Sequence, residues 1–482
     1  MGAPIYISVD LGAGSGRVFL VSFETDRVLL DEIRRFRYPP RMVEGRLCWD
    51  LDLIFENVLL GIEQAKEAAR SLDRELVSIG VDSWAVDYGL LDTGGRLVSD
   101  PTCYRDRRTD GIPEKVFESV PKSEIFNRTG IQFLDFNTLY QLYCDRERLG
   151  EVETALLLPD LINYRLCGVK AAEYTNATTT QMLNLETGRW DIELLSMLDI
   201  KESILPEIVE PGTTRGAAGT LDIVSVASHD TASAVVAAPL TSTAAFISSG
   251  TWSLVGLERT TPLVNDRVVD ANFTNEGGAF GTIRFLKNVM GLWLLERCRV
   301  EWKADGIEST YDDLIDSAYG LNDAVGLIFP DDRRFVNPSS MLDAIMQQLI
   351  ETGQDLDPAP SSVAKVIFDS LAFRYASVLR TAGELTGVKV SKIEILGGGG
   401  RNRYLNQMTA NVTGLPVRTG LFEATVVGNA LVQAIAAGQF TDLVKAREHV
   451  ERVTNFDEFA PKSIDPDLVA RYGEIEKRYL GR

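Results

Sequence analysis

A histidine and an aspartate stand side by side at His229 and Asp230, in the run SHDTASAVVAAPL, and together they are the residues of this chain best suited to acid-base chemistry. Thr231 to Ala238 are short or β-branched and uncharged, which predicts a buried helix whose first turn carries Ser228 and Asp230 as capping candidates. The free N–H groups and the positive dipole end of such a helix favour an ionised carboxylate, so Asp230 is expected to be charged at neutral pH. A charged carboxylate suits phosphoryl transfer to a hydroxyl, which asks for little beyond positioning and late removal of a proton. An aspartate at a helix start serves equally well as a cap alone, so both roles stay open at this point. Within twenty residues come an apolar strand, Ala244 to Ser248, a Ser249-Gly250-Thr251 turn of phosphate size and a second strand, Trp252 to Leu257.

A similar hairpin is expected at the start of the chain: Ile5 to Asp10, then LGAGSGR, then Val18 to Phe23. Gly12, Gly14 and Gly16 resemble a dinucleotide fingerprint, but Arg17 stands where the third glycine belongs and VFLVSF is a strand where a helix is required. No Gly-Lys pair occurs, so the Walker-type phosphate loop is absent too. What remains is a tight turn whose N–H groups, Ser15 hydroxyl and Arg17 guanidinium suit phosphate oxygens, or simply a hairpin turn. Gly250 follows Gly14 by 236 positions (250 − 14), almost half the chain. That spacing predicts two like-folded domains, each presenting one phosphate turn to a shared cleft.

These hairpins need large domains to hold them, and 482 residues are too many for one core. Hydrophobic residues at 45% and charged residues at 24% fit an ordinary globular protein. A net charge of -20 argues against nucleic acid or an anionic membrane surface as partner and favours a small-molecule enzyme. No apolar run approaches a membrane span, and the first ten residues lack the basic head and apolar body of a signal peptide, so the cytoplasm is the expected location. The five cysteines are odd in number and contain no Cys-x-x-Cys, which signals neither a disulfide framework nor a zinc site and predicts core thiols. With only two histidines, His229 and His449, a metal must be held by oxygen, which points to magnesium.

Between the hairpins, Leu76 to Asp82 predicts a strand leading into SWAVDYGLLD, whose Trp84 and Tyr88 suit a core or a sugar platform. CYRDRRTDG, Cys103 to Gly111, predicts a charged solvated loop or a lid. GIQFLDFNTLYQLY and EYTNATTTQMLNLETGRWD are rich in Asn, Thr and Gln, which suit hydroxyl-rich ligands and also turns. Phe285 to Arg299 shows apolar residues on a helical period, with Lys287 and Asn288 at its start, Asn288 as cap or ligand contact. A long amphipathic helix is expected over Ser361 to Leu385. A strand, Ile393 to Leu396, feeds four glycines and a helix over Asn402 to Val412, an arrangement that lets a ring or a ribose approach the backbone closely.

Taken in order, DLGAGSGR, GVDSWAVDY, YRDRRTDG, SHDTASAV, SSGTWSLVG, TNEGG, LKNVMGLWLL and GGGGRN resemble the FGGY family of carbohydrate kinases across roughly residues 5 to 440. The resemblance implies an α/β, two-domain actin-like ATPase fold of the ribonuclease H-like kind, with an ATP/sugar cleft between the domains. It implies a sugar-binding N-terminal domain, 1–240, with the first phosphate hairpin, and a C-terminal domain, 241–482, with the second hairpin and the adenosine site. By the same resemblance Asp230 is the proton acceptor. His229, Thr231, Ala85 and Asn288 join it as sugar contacts, and Ala13, Gly14, Ser15, Gly16, Arg17 and Thr251 hold ATP phosphates. Glu296 and Gly398 contact the nucleotide, and Asp10 holds Mg2+ through water. The implied ketose is L-rhamnulose, and Ala85, which replaces a usual glycine, leaves L-fuculose, L-ribulose and D-xylulose as alternatives; Glu296 replaces a usual glutamine and bears on the nucleotide contact. The implied reaction transfers the γ-phosphoryl of ATP to the C1 hydroxyl of the ketose in a monomer or homodimer, and a non-transferring actin-like ATPase is the alternative.

Overall fold

Ile5–Gly12 and Ser15–Phe23 pair antiparallel with Gly12 opposite Ser15, so the turn between them is only Ala13-Gly14. Gly14 sits at φ 135°, where a side chain is strained, and Gly16 lies under Phe36, whose ring an added Cβ would approach to 2.5 Å. One glycine therefore makes the turn and another lets an aromatic ring close over it.

The computed structural model describes residues 3–321 and 326–481, which form two compact units. The first comprises Met1–Pro239, Glu258–Phe285 and Glu423–Thr454, and the second Leu240–Leu257, Leu286–Phe422 and Asn455–Arg482. In the first unit the sheet order is Thr214–Ala218, Leu221–Val224, Leu76–Ser83, Ile5–Gly12, Ser15–Phe23, Val28–Arg37. Its middle three joins are parallel, parallel and antiparallel, and Thr214–Ala218 closes one edge antiparallel. In the second unit Trp252–Arg259, Ala244–Ser249, Lys392–Leu396, Val417–Thr419 and Asp457–Phe459 follow one another with the same succession of directions. The repeat expected from the glycine spacing is thus present as repeated topology, hairpin first and parallel strands after.

Leu51–Ser71 covers one face of the first sheet, because Leu51, Ile54, Val58, Ile62, Ala65 and Ala69 recur on a helical period and are all buried. Asp50 caps it by accepting the Leu53 N–H at 3.0 Å. Two further helices, Asp230–Ala237 and Ala424–Ala436, pack together where Gly428 meets Ser233; a Cβ on Gly428 would lie 1.7 Å from the Ser233 carbonyl oxygen. Ala424–Ala436 carries polar residues inward. Gln433 donates to the Ile7 carbonyl at 3.0 Å and to Asn429 Oδ1 at 2.7 Å, accepts from Ser78 Oγ at 2.7 Å, and Asn429 in turn donates to Asp82 at 2.5 Å. Buried polar groups require such partners, so this chain of bonds locks the helix in register on the strands.

The structure departs from the sequence reading in several places. The expected helix over Phe285 to Arg299 is a strand, Ile283–Met290, followed by a helix, Trp293–Ala304. Gly291 makes the break: a Cβ there would lie 2.7 Å from the Gly250 carbonyl oxygen, so chain reversal against the hairpin turn overrides the helical period. Ser228 does not cap the Asp230–Ala237 helix; His229 is the N-cap residue without a side-chain bond, and the Ser228 hydroxyl donates to Glu173 at 2.7 Å. CYRDRRTDG is not a solvated loop, since Cys103, Tyr104 and Thr109 are buried and Arg108 donates to Asp145 and Gln141, each at 2.7 Å. The long helix runs Pro360–Thr386 and the strand Lys392–Leu396, close to expectation. All five cysteines are free thiols, and among the described residues no helix is long and apolar enough to cross a membrane.

Candidate active site

In the first unit Asp230 opens its helix with 34% of its side chain exposed, beside His229, whose side chain is 8% exposed. Asp230 Oδ1 accepts the Thr231 N–H at 2.5 Å and the Thr231 hydroxyl at 3.2 Å, and His229 Nε2 lies 3.4 Å away. These contacts orient one carboxylate oxygen, Oδ1. Burial pushes the Asp230 carboxyl up from its ordinary value, His229 opposes the shift and Asp10 adds to it. The direction is opposite to that expected from the helix N-terminus, because desolvation and a like charge outweigh the dipole. A raised carboxylate is a better proton acceptor than an ordinary one.

The segment before it is held by Glu173, which is fully buried and accepts from Ser228 N–H and Oγ, from Thr175 N–H and Oγ1, and from Asn176 N–H. The threonines and glutamine of EYTNATTTQ are likewise turned inward. Thr178, Thr179 and Thr180 each donate to the carbonyl three residues before, at 2.9, 2.7 and 2.6 Å. The polar richness of this segment thus builds turns under the His229-Asp230 pair.

Asp10 is 6% exposed, and its neighbour in parallel register is Asp82, so both side chains leave the same face of adjacent strands. Arg17 closes on Asp10 and on Glu423, so its guanidinium stands at the turn held by ion pairs with two carboxylates. Asp82 is fully buried; Asn429 holds Oδ2 while Oδ1 has no hydrogen-bond partner among the described residues. Burial, with Asp10 adding, pushes the Asp82 carboxyl well above the ordinary range. Among the described residues no three or more His, Cys, Asp or Glu side chains converge as a metal site. Asp10 beside the unpartnered Asp82 oxygen fits a hard cation that keeps most of its water and takes the rest of its ligands from phosphate. Ala13 and Gly14 are half-buried and Ser15 exposed at the turn, whereas Gly16 is buried.

Ala85 lies half-buried just beyond Leu76–Ser83. Next to it Val86 adopts φ 70°, a costly conformation for a β-branched residue, and its carbonyl is held by Thr138 at 2.8 Å and Gln141 at 3.3 Å. The kink turns Asp87 into the core, where it accepts from Trp49 and Trp84 at 2.6 and 2.9 Å, so Trp84 is a core residue and not a sugar platform. Nothing in the residue types at 84–87 signals this strain. Thr138 and Gln141 of FNTLYQL, whose residue types suit either a ligand or a turn, are the two that hold the Val86 carbonyl.

In the second unit Gly250 and Thr251 form an exposed turn, pinned where Leu292 and Trp293 donate N–H groups to the Gly250 and Thr251 carbonyls at 2.9 and 3.2 Å. Glu296 is one turn further along that helix, exposed and paired with Arg299 at 2.9 Å. Asn288 is on the Ile283–Met290 strand and half-buried. Of the four glycines, Gly399 abuts Ser249, Gly400 abuts Thr419 and Gly397 adopts φ 81°. Gly398 alone in the run is exposed with nothing within 4 Å of an added Cβ, the position free to receive a ligand.

The chain belongs to the FGGY family of carbohydrate kinases: residues 5–236 match the family's N-terminal domain and residues 245–437 its C-terminal domain. It is therefore a phosphotransferase acting on a sugar hydroxyl, with ATP as co-substrate. Its relatives include a rhamnulokinase from Pectobacterium atrosepticum, 43% identical over 95% of this chain and 93% of that protein, and a rhamnulokinase from Bacillus subtilis, 37% identical over 96% and 97%. The fold is that of xylulose kinase from Lactobacillus acidophilus, with a TM-score of 0.78 at 18% identity over 99% of this chain and 97% of that one. Glycerol kinase from Plasmodium falciparum, solved with ADP, matches with a TM-score of 0.77 at 14% identity over 99% and 98%.

Proposed function

We propose that this protein transfers the γ-phosphoryl group of ATP to the C1 hydroxyl of L-rhamnulose, giving L-rhamnulose 1-phosphate, in the cytoplasm where ATP is supplied. The observation that carries the substrate is identity of 43% over nearly the whole chain to one rhamnulokinase, and of 37% to another.

Asp230 orients the acceptor hydroxyl and takes its proton as the O–P bond forms. His229, Thr231, Ala85 and Asn288 hold the sugar, and residues 1–240 supply the sugar side of the reaction. Ala13 to Arg17 and Thr251 direct backbone and side-chain donors at phosphate oxygens, while Glu296 and Gly398, in residues 241–482, meet the nucleotide. Asp10 holds Mg2+, which when bound neutralises phosphate charge. Gly398 suits the nucleoside because no side chain of its own or its neighbours fills the space above it.

The test is ADP release from Mg-ATP with L-rhamnulose, L-fuculose, L-ribulose and D-xylulose in parallel, beside a sugar-free control. Preference for L-rhamnulose is expected; preference for another ketose moves the substrate, and ADP release that no sugar stimulates removes the kinase reading. Asp230→Ala is expected to abolish turnover and leave ATP binding nearly intact. Because the Asp230 carboxyl is shifted upward, kcat/KM for the ketose should fall with decreasing pH at values above the ordinary carboxylate range.

A further inference from the structure

We infer that Arg284 is a positioning residue that fixes the tautomer of His229, donating to its Nδ1 so that Nε2 carries the proton on the side facing Asp230.

Arg284 projects from the Ile283–Met290 strand with its side chain 0% exposed. Its Nε donates to the Gly277 carbonyl at 3.0 Å, and its Nη1 lies 3.1 Å from His229 Nδ1 in hydrogen-bonding geometry. Among the described residues Nη2 has no hydrogen-bond partner, so Nε and Nη1 place the guanidinium. A guanidinium offers donors only. The imidazole nitrogen opposite it must then offer its lone pair, which leaves the proton of a neutral ring on Nε2.

One group pulls the other way. Glu276 Oε2 lies 3.4 Å from the same Nδ1 and would accept a proton placed there. That arrangement sets an imidazole N–H against an Arg284 N–H at 3.1 Å, while Glu276 is already neutralised by Arg284 at 3.0 Å. The shorter distance and the donor count both favour Nδ1 as acceptor. On the opposite edge Nε2 faces Asp230 Oδ1 at 3.4 Å, too long for a good hydrogen bond, so the donor stays available to a sugar oxygen. The Thr175 hydroxyl meets the backbone N–H of His229 at 3.5 Å.

The consequence for chemistry rests on Asp230 being the proton acceptor. A donor at Nε2 holds the acceptor sugar while Asp230 takes its proton. A lone pair at Nε2 would compete for that same proton.

The chain contains two histidines, which makes the assignment measurable by 15N NMR of histidine-labelled full-length protein, with H449Q identifying the second ring. The wild-type His229 ring is expected to show a protonated Nε2 and a bare Nδ1. In R284M the proton should move, wholly or in part, to Nδ1, with kcat/KM for the ketose falling on the order of tenfold or more and KM for ATP changing less than about twofold. R284K, which restores a donor, should recover the wild-type ring pattern and part of the activity. Because R284M removes an ion-pair partner of Glu276, the double variant R284M/E276Q serves if the single one does not fold. A bare Nδ1 persisting in a folded R284M or double variant overturns the inference, and so does an Nδ1–H in the wild type even if no variant folds. The ring spectrum does not depend on turnover, so a ketose panel without activity would defeat the functional reading and leave the tautomer assignment standing.

Discussion

Glu173 receives both the backbone N–H and the hydroxyl of Ser228, at 3.0 and 2.7 Å, and so fixes the residue immediately before the His229-Asp230 pair. The same carboxylate receives the Thr175 and Asn176 N–H groups at 2.8 and 3.1 Å. An amide in its place points hydrogens at donors. Glu173→Gln is therefore expected to lower stability by about 2–4 kcal/mol in chemical denaturation, and kcat by more than it raises KM for ATP. An unchanged denaturation midpoint would remove Glu173 from this role.

Gly428 allows two helix backbones to meet, since any Cβ there would lie 1.7 Å from the Ser233 carbonyl oxygen. Ser233 is three residues after Asp230, so separation of the helices also displaces the proposed proton acceptor. Gly428→Ala should cost about 3 kcal/mol or more, read as a lower thermal midpoint, with kcat reduced in the protein that remains folded. Wild-type stability in this variant would mean that the helices part without penalty.

Two adjacent glycines should give opposite phenotypes. Gly399 has no room, with Ser249 Oγ 2.1 Å and the Ser249 carbonyl oxygen 2.8 Å from an added Cβ, so Gly399→Ala should yield little folded protein. Gly398→Ala meets nothing within 4 Å and should fold as the wild type does, while KM for ATP rises several-fold. Normal ATP affinity in Gly398→Ala would place the nucleoside elsewhere.

Asp87 is the titrating group whose effect on stability is easiest to isolate. Burial pushes its carboxyl up to about 6, against the bonds from Trp84 and Trp49 that favour the charged form. Between the unfolded value, near 4, and about 6 the folded state binds more proton than the unfolded one, so this contribution is full below pH 4 and is lost as pH rises through 6. Two pKa units correspond to about 3 kcal/mol. Asp87→Asn keeps an oxygen for both indoles and should flatten the pH dependence of stability between pH 4 and 6. An unaltered slope would assign that dependence to other groups.

The sequence made the hairpins, the buried small-residue helix and the glycine run legible because each depends on local chemistry: alternating apolar residues, a turn residue free to take positive φ, a run without large side chains. Asp230 was legible for the same reason. Its upward pKa shift was not, since Asp10 acts on it from 220 positions away and the desolvation comes from the whole unit. Arg284 stands one residue before the stretch that reads as helix, where no motif marks it, and its meeting with His229 spans 55 residues. The Asn, Thr and Gln of the first half were visible as a bias, but whether such side chains face a ligand or their own backbone is decided by tertiary packing.

The first unit is completed by Glu423–Thr454, late in a chain that crosses between the units five times. Asp82 waits for Asn429, 347 positions downstream. At about 5–20 residues per second a ribosome needs roughly 20–70 s to cover that interval. During this time the first sheet has emerged with Ser78, Asp82 and the Ile7 carbonyl lacking the helix that satisfies them. The first sheet therefore cannot complete its buried hydrogen bonds until translation is nearly finished, which ties the closing of the N-terminal core to the synthesis of the C-terminal part of the chain.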